Sequence, residues 1–280
     1  MVEGDGVHAM TLADGRALAW LEVGDPDGTP VVSCHGGLSS RLDVAPAHEA
    51  AERAGVRLIS PDRPGIGFSD RKPDRTLLDW PDDVRELVDH LGVDRFGVLG
   101  WSLGGAYAAA TAFALAERTT TLGLVASVIP ATWDDMREEL NRMDRVMLRL
   151  SEHAAPIDRV IFALLRGEAA HLPKAFARQA GTSGDAAASL PEATAAGLTD
   201  TKGVLDDYHV FGAPWGFEPG DLRVPTHLWQ GDADDLVPSS WGDRLADAID
   251  GAELHVVPGG THFLAYDHWD EVLTPFAATA

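Results

Sequence analysis

The sequence predicts an α/β fold in which helices flank both faces of a mostly parallel, eight-stranded sheet, with a helical insertion. Three observations support this prediction. Short apolar runs of strand length alternate with helical segments in both halves of the chain, as in sheets that are buried on both faces. Between residues 132 and 219 this alternation stops and helical patterns replace it. A serine flanked by glycines follows one central strand and precedes a helix-forming segment.

Eight runs of apolar and β-branched residues predict the strands. These runs are residues 7–11, 17–23, 30–34, 56–60, 96–99, 122–129, 226–229 and 252–257. The turn at residues 13–16 joins the first two strands as a hairpin. Amphipathic or alanine-rich patterns, several with glycine stops, predict the core helices. These helices are residues 46–54, 77–91, 106–116, 240–249 and 270–277.

The insertion begins with apolar residues at every third or fourth position from Trp133 to Leu150, which predicts one amphipathic helix. A second helix is predicted over 157–165, and weaker ones around 173–179 and 191–198, with a loop at 182–188. The predicted organisation is a core domain of residues 1–131 and 220–280 with a helical cap of residues 132–219.

The chain is strongly acidic, which restricts its partners. Its 280 residues include 22 Lys and Arg against 44 Asp and Glu, a formal net charge of -22. Such a surface repels phosphate backbones and anionic membranes, so we expect no nucleic-acid or membrane partner. The single cysteine, Cys34, ends an apolar run and is expected to be a buried strand residue. Without a disulfide or a signal-peptide pattern, the sequence predicts a cytoplasmic protein.

The segment Gly100–Gly104 is the first candidate for catalysis. It has the form Gly-x-Ser-x-Gly and lies between a predicted strand and a predicted helix, the context of a nucleophile elbow. A strand that turns sharply into a helix brings Gly100 and Gly104 together, leaving no room for a Cβ. Ser102 is then held in a strained backbone conformation with its hydroxyl exposed. The alternative is an ordinary glycine-capped strand end.

A nucleophilic serine needs a base to accept its proton and an acid to orient that base. In a doubly wound sheet these residues lie in loops at the carboxyl ends of strands. The loop after strand 226–229 contains Asp232, Asp234 and Asp235, and the loop after the last strand contains His262. The order serine, acid, histidine is the one found in α/β-hydrolases.

Five segments in the right order resemble the capped α/β-hydrolase family. They are His35-Gly36, residues 62–69, Gly100–Gly104, residues 231–238 and Gly259–Phe263. The resemblance covers nearly the whole chain. It implies a catalytic triad of Ser102, Asp234 and His262, with Asp232 as the alternative acid.

The resemblance also implies an oxyanion hole made by the backbone N–H groups of Gly37 and Leu103. His35 is expected to support its loop instead of carrying protons. The remaining histidines show no metal-ligand spacing with one another or with Cys34. The sequence therefore predicts no metal site and no cofactor.

The cap is expected to cover Ser102 as a lid and to form an apolar pocket with it. The candidate lining residues are Trp101, Trp133, Met136, Met143, Met147, Phe162, Phe211 and Trp215. The alternative for the three methionines is that they only pack the cap against the core.

The predicted function is hydrolysis of small, largely apolar carboxylic esters or lactones through an acyl-enzyme on Ser102. Other chemistry of the same fold remains open: proline iminopeptidase-type amide cleavage, C–C bond hydrolysis, or cofactor-free perhydrolysis. Four cap acids could serve the first of these by binding a free amino group: Glu138, Glu139, Asp206 and Asp207. A non-enzymatic receptor for a small ligand is the alternative of a different class.

Overall fold

The computed structural model describes residues 7–152, 185–198 and 201–277. Within these residues, eight strands form one sheet in the order β1-β2-β4-β3-β5-β6-β7-β8. The strands are β1 (Val7–Thr11), β2 (Ala17–Gly24), β3 (Thr29–Cys34), β4 (Val56–Pro61), β5 (Phe96–Trp101), β6 (Thr119–Val125), β7 (Thr226–Gly231) and β8 (Glu253–Val257). The predicted fold class is confirmed.

Strands β3 to β8 run parallel, whereas β1 and β2 form an antiparallel hairpin at one edge. Consecutive residues of a strand point to opposite faces of the sheet. Val31 and Val32 of β3 are both fully buried, so the centre of the sheet is covered on both sides. The carboxyl ends of the parallel strands meet at one edge, where the candidate site residues lie.

Helices cover the sheet and fill the interval between β6 and β7. They are α1 (His48–Ala54), α2 (Trp80–His90), α3 (Gly104–Ala114), α4 (Met136–Glu139), α5 (Arg142–Glu152), α6 (Asp185–Gly197), α7 (Thr201–Phe211), α8 (Ser239–Ala248) and α9 (Ala265–Leu273). Short 3-10 turns occur at Arg41–Ala47, Leu77–Asp79, Pro219–Asp221 and Thr274–Phe276. Among the described residues, none of these helices has the length and apolar character needed to cross a bilayer.

The single helix predicted from Trp133 to Leu150 is wrong, because the chain breaks it into α4 and α5. Leu140 is extended at the break, with ψ of 139°. The side-chain oxygen of Asn141 then accepts the N–H of Asp144 at 3.0 Å. A side chain that bonds to the N–H three residues later is a helix N-cap and favours a new start. The apolar spacing continues across the break and conceals it.

Other elements also differ from the sequence prediction, the last helix among them, which spans Ala265–Leu273 instead of 270–277. Strand β6 ends at Val125 instead of residue 129, because Ala126 adopts a left-handed φ of 45°. Residues 185–188, predicted as loop, belong to α6, and α7 was not predicted. The helices predicted over 157–165 and 173–179 lie outside the described residues.

A buried ionic network joins α7 to the sheet layer. The Asp207 carboxylate accepts hydrogen bonds from the guanidinium groups of Arg63 at 2.7 Å and Arg75 at 2.6 Å. The Tyr107 hydroxyl donates to it at 3.0 Å. Burial acts to raise the pKa of Asp207, but the two guanidinium groups hold it well below its usual range. The Asp207 side chain is only 3% exposed and that of Arg63 is 0% exposed, so each charge depends on the other for compensation.

Replacing Asp207 by Asn should lower the free energy of unfolding by about 3 to 5 kcal/mol, because two buried guanidinium groups lose their counter-charge. Urea denaturation followed by circular dichroism measures this loss. The matched control is Asp206→Asn, which removes the partner of the more exposed Arg71 and should cost less than about 1 kcal/mol. Equal losses in the two variants would show that the buried network does not hold α7 more strongly than the exposed ion pair does.

Candidate active site

Ser102 lies in the tight turn between β5 and α3, as the elbow pattern predicts. Its φ is 55°, in the left-handed region that non-glycine residues rarely adopt. A Cβ on Gly100 would overlap the carbonyl oxygen of Gly104, and a Cβ on Gly104 would overlap that of Cys34. Both glycines are therefore required by close backbone approach. The Cys34 thiol is buried in β3, and burial raises its pKa to about 12, which makes it a poor nucleophile.

His262 and Asp234 meet at the carboxyl edge of the sheet. Asp234 follows β7 and His262 follows β8, and His262 Nδ1 lies 2.9 Å from Asp234 Oδ2. The other carboxylate oxygen accepts the N–H groups of Leu236 and Val237, both at 2.9 Å. The Asp234 side chain is fully buried and that of His262 is 7% exposed. The carboxylate thus holds the proton on Nδ1 and leaves Nε2 as the acceptor.

The alternative acid, Asp232, has a different partner in the same loop. Its Oδ1 accepts the N–H of Gly259 at 2.6 Å at an exposed position. Asp232 therefore fastens the loop after β8, while Asp234 contacts the imidazole in that loop. Trp101 also holds this loop, because its indole N–H donates to the carbonyl oxygen of His262 at 2.9 Å.

One cavity is lined by Ser102, His262, Gly37 and Leu103 together. Gly37 belongs to the loop after β3, and Leu103 is the residue before α3. A Cβ on Gly37 would lie 3.5 Å from the Leu103 side chain, so the two segments adjoin. Asp234 does not line this cavity but contacts the His262 ring. The structure therefore brings all five predicted catalytic and oxyanion residues close together.

The loop that carries Gly37 is held by buried polar contacts on its neighbours. The Gly36 N–H donates to Asp43 at 3.0 Å, and its carbonyl accepts from Arg63 at 3.0 Å. Arg63 also donates to the carbonyl oxygen of His35. The His35 ring donates from Nδ1 to the Gly36 carbonyl at 3.0 Å and accepts the Arg63 backbone N–H at Nε2. Burial lowers the pKa of His35 well below its usual range, so the ring is neutral and acts as a support.

A family model described as alpha/beta hydrolase fold matches residues 29–268. The chain belongs to the alpha/beta hydrolase fold family. It is 26% identical over 254 residues to a 2-hydroxymuconate semialdehyde hydrolase of Pseudomonas putida, covering 86% of this chain and 83% of the relative. It is 39% identical over 117 residues to the dihydrolipoyllysine-residue acetyltransferase component of an acetoin cleaving system from the same organism. That match covers 40% of this chain and only 30% of the relative.

Solved structures of this family share the whole fold at low sequence identity. An esterase from Exiguobacterium antarcticum superposes with a TM-score of 0.75 at 17% identity, covering 97% of this chain and 99% of that one. At this identity the likeness concerns the fold alone.

Three of the predicted pocket residues line the cavity: Trp101, Met143 and Phe211. Four do not, and the prediction was wrong for them: Trp133, Met136, Met147 and Trp215. Phe162 lies outside the described residues.

The four excluded side chains pack elsewhere. Met136, Met147 and Trp215 are at least 96% buried and belong to the main apolar core. The guanidinium carbon of Arg244 lies over the Trp133 ring, 5.2 Å from the ring centre. For Met136 and Met147 the packing alternative was therefore correct. Helical spacing identified apolar positions but not which apolar surface each one meets.

Sequence reasoning missed five polar residues of the cavity wall, three of which bond to one another: Asn141, Asp144 and Tyr208. The other two are Ser39 and Thr194. The Tyr208 hydroxyl and the Asn141 amide each donate to Asp144 at 2.6 Å. Burial raises the pKa of Asp144, against the hydrogen bonds from these two donors and the charge of His262. The only available signal was the Asn-x-x-Asp spacing at 141–144, and Tyr208 lies on a helix that was not predicted.

Asp43, which accepts the Gly36 N–H, should make the stability of the protein depend on pH. Burial raises the pKa of Asp43 to about 7, above its value near 3.9 in the unfolded chain. Between about pH 4 and pH 7 the folded state binds the proton more tightly, so this residue's contribution to stability falls as pH rises. Relative to Asp43→Asn, the wild type should therefore lose unfolding free energy across this interval. Chemical denaturation at a series of pH values measures the unfolding free energy of both proteins. If the two profiles run parallel between about pH 4 and pH 7, the raised pKa of Asp43 is refuted.

Proposed function

We propose that this protein is a serine hydrolase that cleaves small, largely apolar carboxylic esters or lactones through an acyl-enzyme on Ser102. One observation carries the proposal. The strained Ser102, the His262 ring paired with Asp234 at 2.9 Å, and the two residues Gly37 and Leu103 all border one cavity. A nucleophile, a base with its orienting acid and a pair of backbone donors are the parts that acyl transfer requires.

The reaction follows from these positions. His262 accepts the Ser102 proton at Nε2 while the serine oxygen attacks the carbonyl carbon of the ester. Asp234, which accepts the hydrogen bond from Nδ1, stabilises the imidazolium that forms. The carbonyl electron pair moves to oxygen, where the N–H groups of Gly37 and Leu103 bind the negative charge. His262 then protonates the leaving alcohol, and the acyl group remains on Ser102.

Hydrolysis of the acyl-enzyme repeats these steps with water as the nucleophile. His262 accepts a proton from water, the hydroxide oxygen attacks the acyl carbon, and the same two N–H groups hold the oxyanion. When the tetrahedral intermediate collapses, the proton returns to Ser102 and a carboxylic acid leaves. The chain supplies every group that these steps need.

The substrate class is inferred from the cavity wall. Most of its side chains are apolar, including Val128, Leu140, Leu190, Phe211 and Phe263. A largely apolar wall favours an uncharged acyl or alkyl group because burial removes its surface from water.

Asp144 favours one second candidate, the cleavage of an amide next to a free amino group. None of the cap acids considered from the sequence lines the cavity: Glu138, Glu139, Asp206 and Asp207. Asp206 and Asp207 are paired with arginines, and Glu139 contacts Arg244. Asp144 lines the cavity and bonds to two uncharged donors, so it supplies the carboxylate that an ammonium group needs.

A fluorophosphonate probe tests the nucleophile directly. The wild type should be labelled once and irreversibly, whereas Ser102→Ala should not be labelled, because the probe phosphonylates an activated serine. Intact-mass spectrometry reads the labelling, and circular dichroism confirms that both proteins are folded. A folded wild type that resists the probe would remove the serine-hydrolase proposal.

A substrate pair then separates the two candidates. Turnover of a short-chain p-nitrophenyl ester without turnover of prolyl p-nitroanilide supports the ester hydrolase, and the reverse supports the amidase. Labelling with no turnover of any short acyl substrate would favour the non-enzymatic receptor.

For the acid, Asp234→Asn should lower kcat by about 10⁴-fold, because the amide no longer holds His262 in its reactive tautomer. Asp232→Asn is the matched control in the same loop and should change kcat by less than about tenfold, since Asp232 bonds to Gly259. Steady-state kinetics on one ester compares the two. A larger effect of the Asp232 substitution would show that the other acid orients the base.

A further inference from the structure

Strands β7 and β8 bring two histidines and a glutamate together on one face of the sheet. His227 pairs in register with Glu253, and Trp229 pairs with His255. Side chains two residues apart on a strand share a face, so all four project from the same side. His227 and Glu253 lie toward the amino ends of their strands, away from the carboxyl edge that holds Asp234 and His262.

The geometry of this cluster is that of a three-ligand coordination site. One ligand atom from each of His227, Glu253 and His255 lies within 4.8 Å of the other two. His227 Nδ1 is 3.5 Å from a carboxylate oxygen of Glu253. This nitrogen is buried and has no hydrogen-bond partner among the described residues. A buried polar atom without a partner is costly, and metal coordination is one way to satisfy it.

The imidazole rings are also held in place. The rings of His227 and His255 stack with centroids 5.8 Å apart and planes 14° apart. Trp229, which is 3% exposed, stacks on His255 at 5.1 Å and on His227 at 6.0 Å.

We propose that His227, Glu253 and His255 bind one divalent transition-metal ion of the zinc class. Two imidazole nitrogens and one carboxylate oxygen suit Zn²⁺ and its neighbours better than Mg²⁺ or Ca²⁺, which prefer oxygen ligands. Three protein ligands leave at least one coordination position for water. The ion would join β7 to the edge strand β8, and these two strands carry the loops of Asp234 and His262.

This site was not predicted from the sequence because His227 is far along the chain from Glu253 and His255. His227 and His255 are brought together only by the parallel pairing of β7 with β8. The proposal is independent of the proposed hydrolase function, since no catalytic group belongs to the cluster.

Isothermal titration of the metal-stripped, full-length protein with Zn²⁺ tests the proposal. The wild type should bind one ion at this site, and His227→Ala and His255→Ala should each weaken binding by roughly tenfold or more, since even indirect supports of a metal ligand contribute that much. The matched control is His268→Ala, which removes the histidine of a His–Glu contact of 3.1 Å on α9 and should leave this binding unchanged.

Thermal unfolding gives a second readout that a change in folding alone would not reproduce. Zn²⁺ should raise the midpoint of the wild type and of His268→Ala by more than that of His255→Ala, because an ion stabilises the folded state in proportion to how tightly it binds there. Wild type that binds no Zn²⁺ below about 1 mM, a weak-binding limit, would overturn the proposal. Undiminished binding in both His227→Ala and His255→Ala would also overturn it, because the ion would then lie elsewhere.

Discussion

The buried guanidinium group of Arg63 is the contact on which the arrangement of the site depends. It pairs with Asp207 of α7, donates to the carbonyl oxygens of His35 and Gly36, and lies 4.7 Å from the Tyr107 ring centre. One fully buried charge therefore fixes the loop of Gly37, α7 and α3 relative to one another. A buried charge tolerates little displacement, because each lost partner leaves it desolvated without compensation. The position of the Gly37 N–H thus depends on the same pair that holds α7.

The turn that carries Ser102 shows how the fold maintains a strained residue. A left-handed φ at Ser102 costs on the order of 1 to 3 kcal/mol, and the surrounding contacts compensate for it. The Ser102 N–H donates to the Val125 carbonyl at 2.9 Å, and its own carbonyl accepts the Gly105 N–H at 2.9 Å. These bonds join the turn to β6 and to the first turn of α3. The turn therefore keeps its conformation without substrate, and the serine and the Leu103 N–H are positioned in advance.

The sequence predicted most of the core, since its strands are continuous apolar runs whose burial on both faces leaves little alternative. The site residues were predictable for a related reason: turns such as Gly100–Gly104 tolerate few residue types, so chemistry and backbone constraint coincide there. The cap was less predictable. The break before Asn141 depends on one side-chain hydrogen bond, which apolar periodicity does not record. The placement of Trp215 in the core and of Phe211 at the cavity depends on tertiary packing, because both are equally apolar.

Two buried acids between β6 and β7, Asp207 and Asp144, have different roles. Asp207 is neutralised by two guanidinium groups and lies in the interface with the core, so its charge serves folding. Asp144 is held by Tyr208 and Asn141, which are uncharged, and it lines the cavity. Among the described residues its carboxylate therefore keeps acceptor capacity toward a bound molecule, in a wall that is otherwise mainly apolar. A substrate that places a hydroxyl, amide or ammonium donor there would gain a charge-assisted hydrogen bond, and an apolar isostere would leave a buried carboxyl group less well satisfied. Selectivity within the proposed reaction should thus depend on this buried carboxylate more than on the apolar contacts around it.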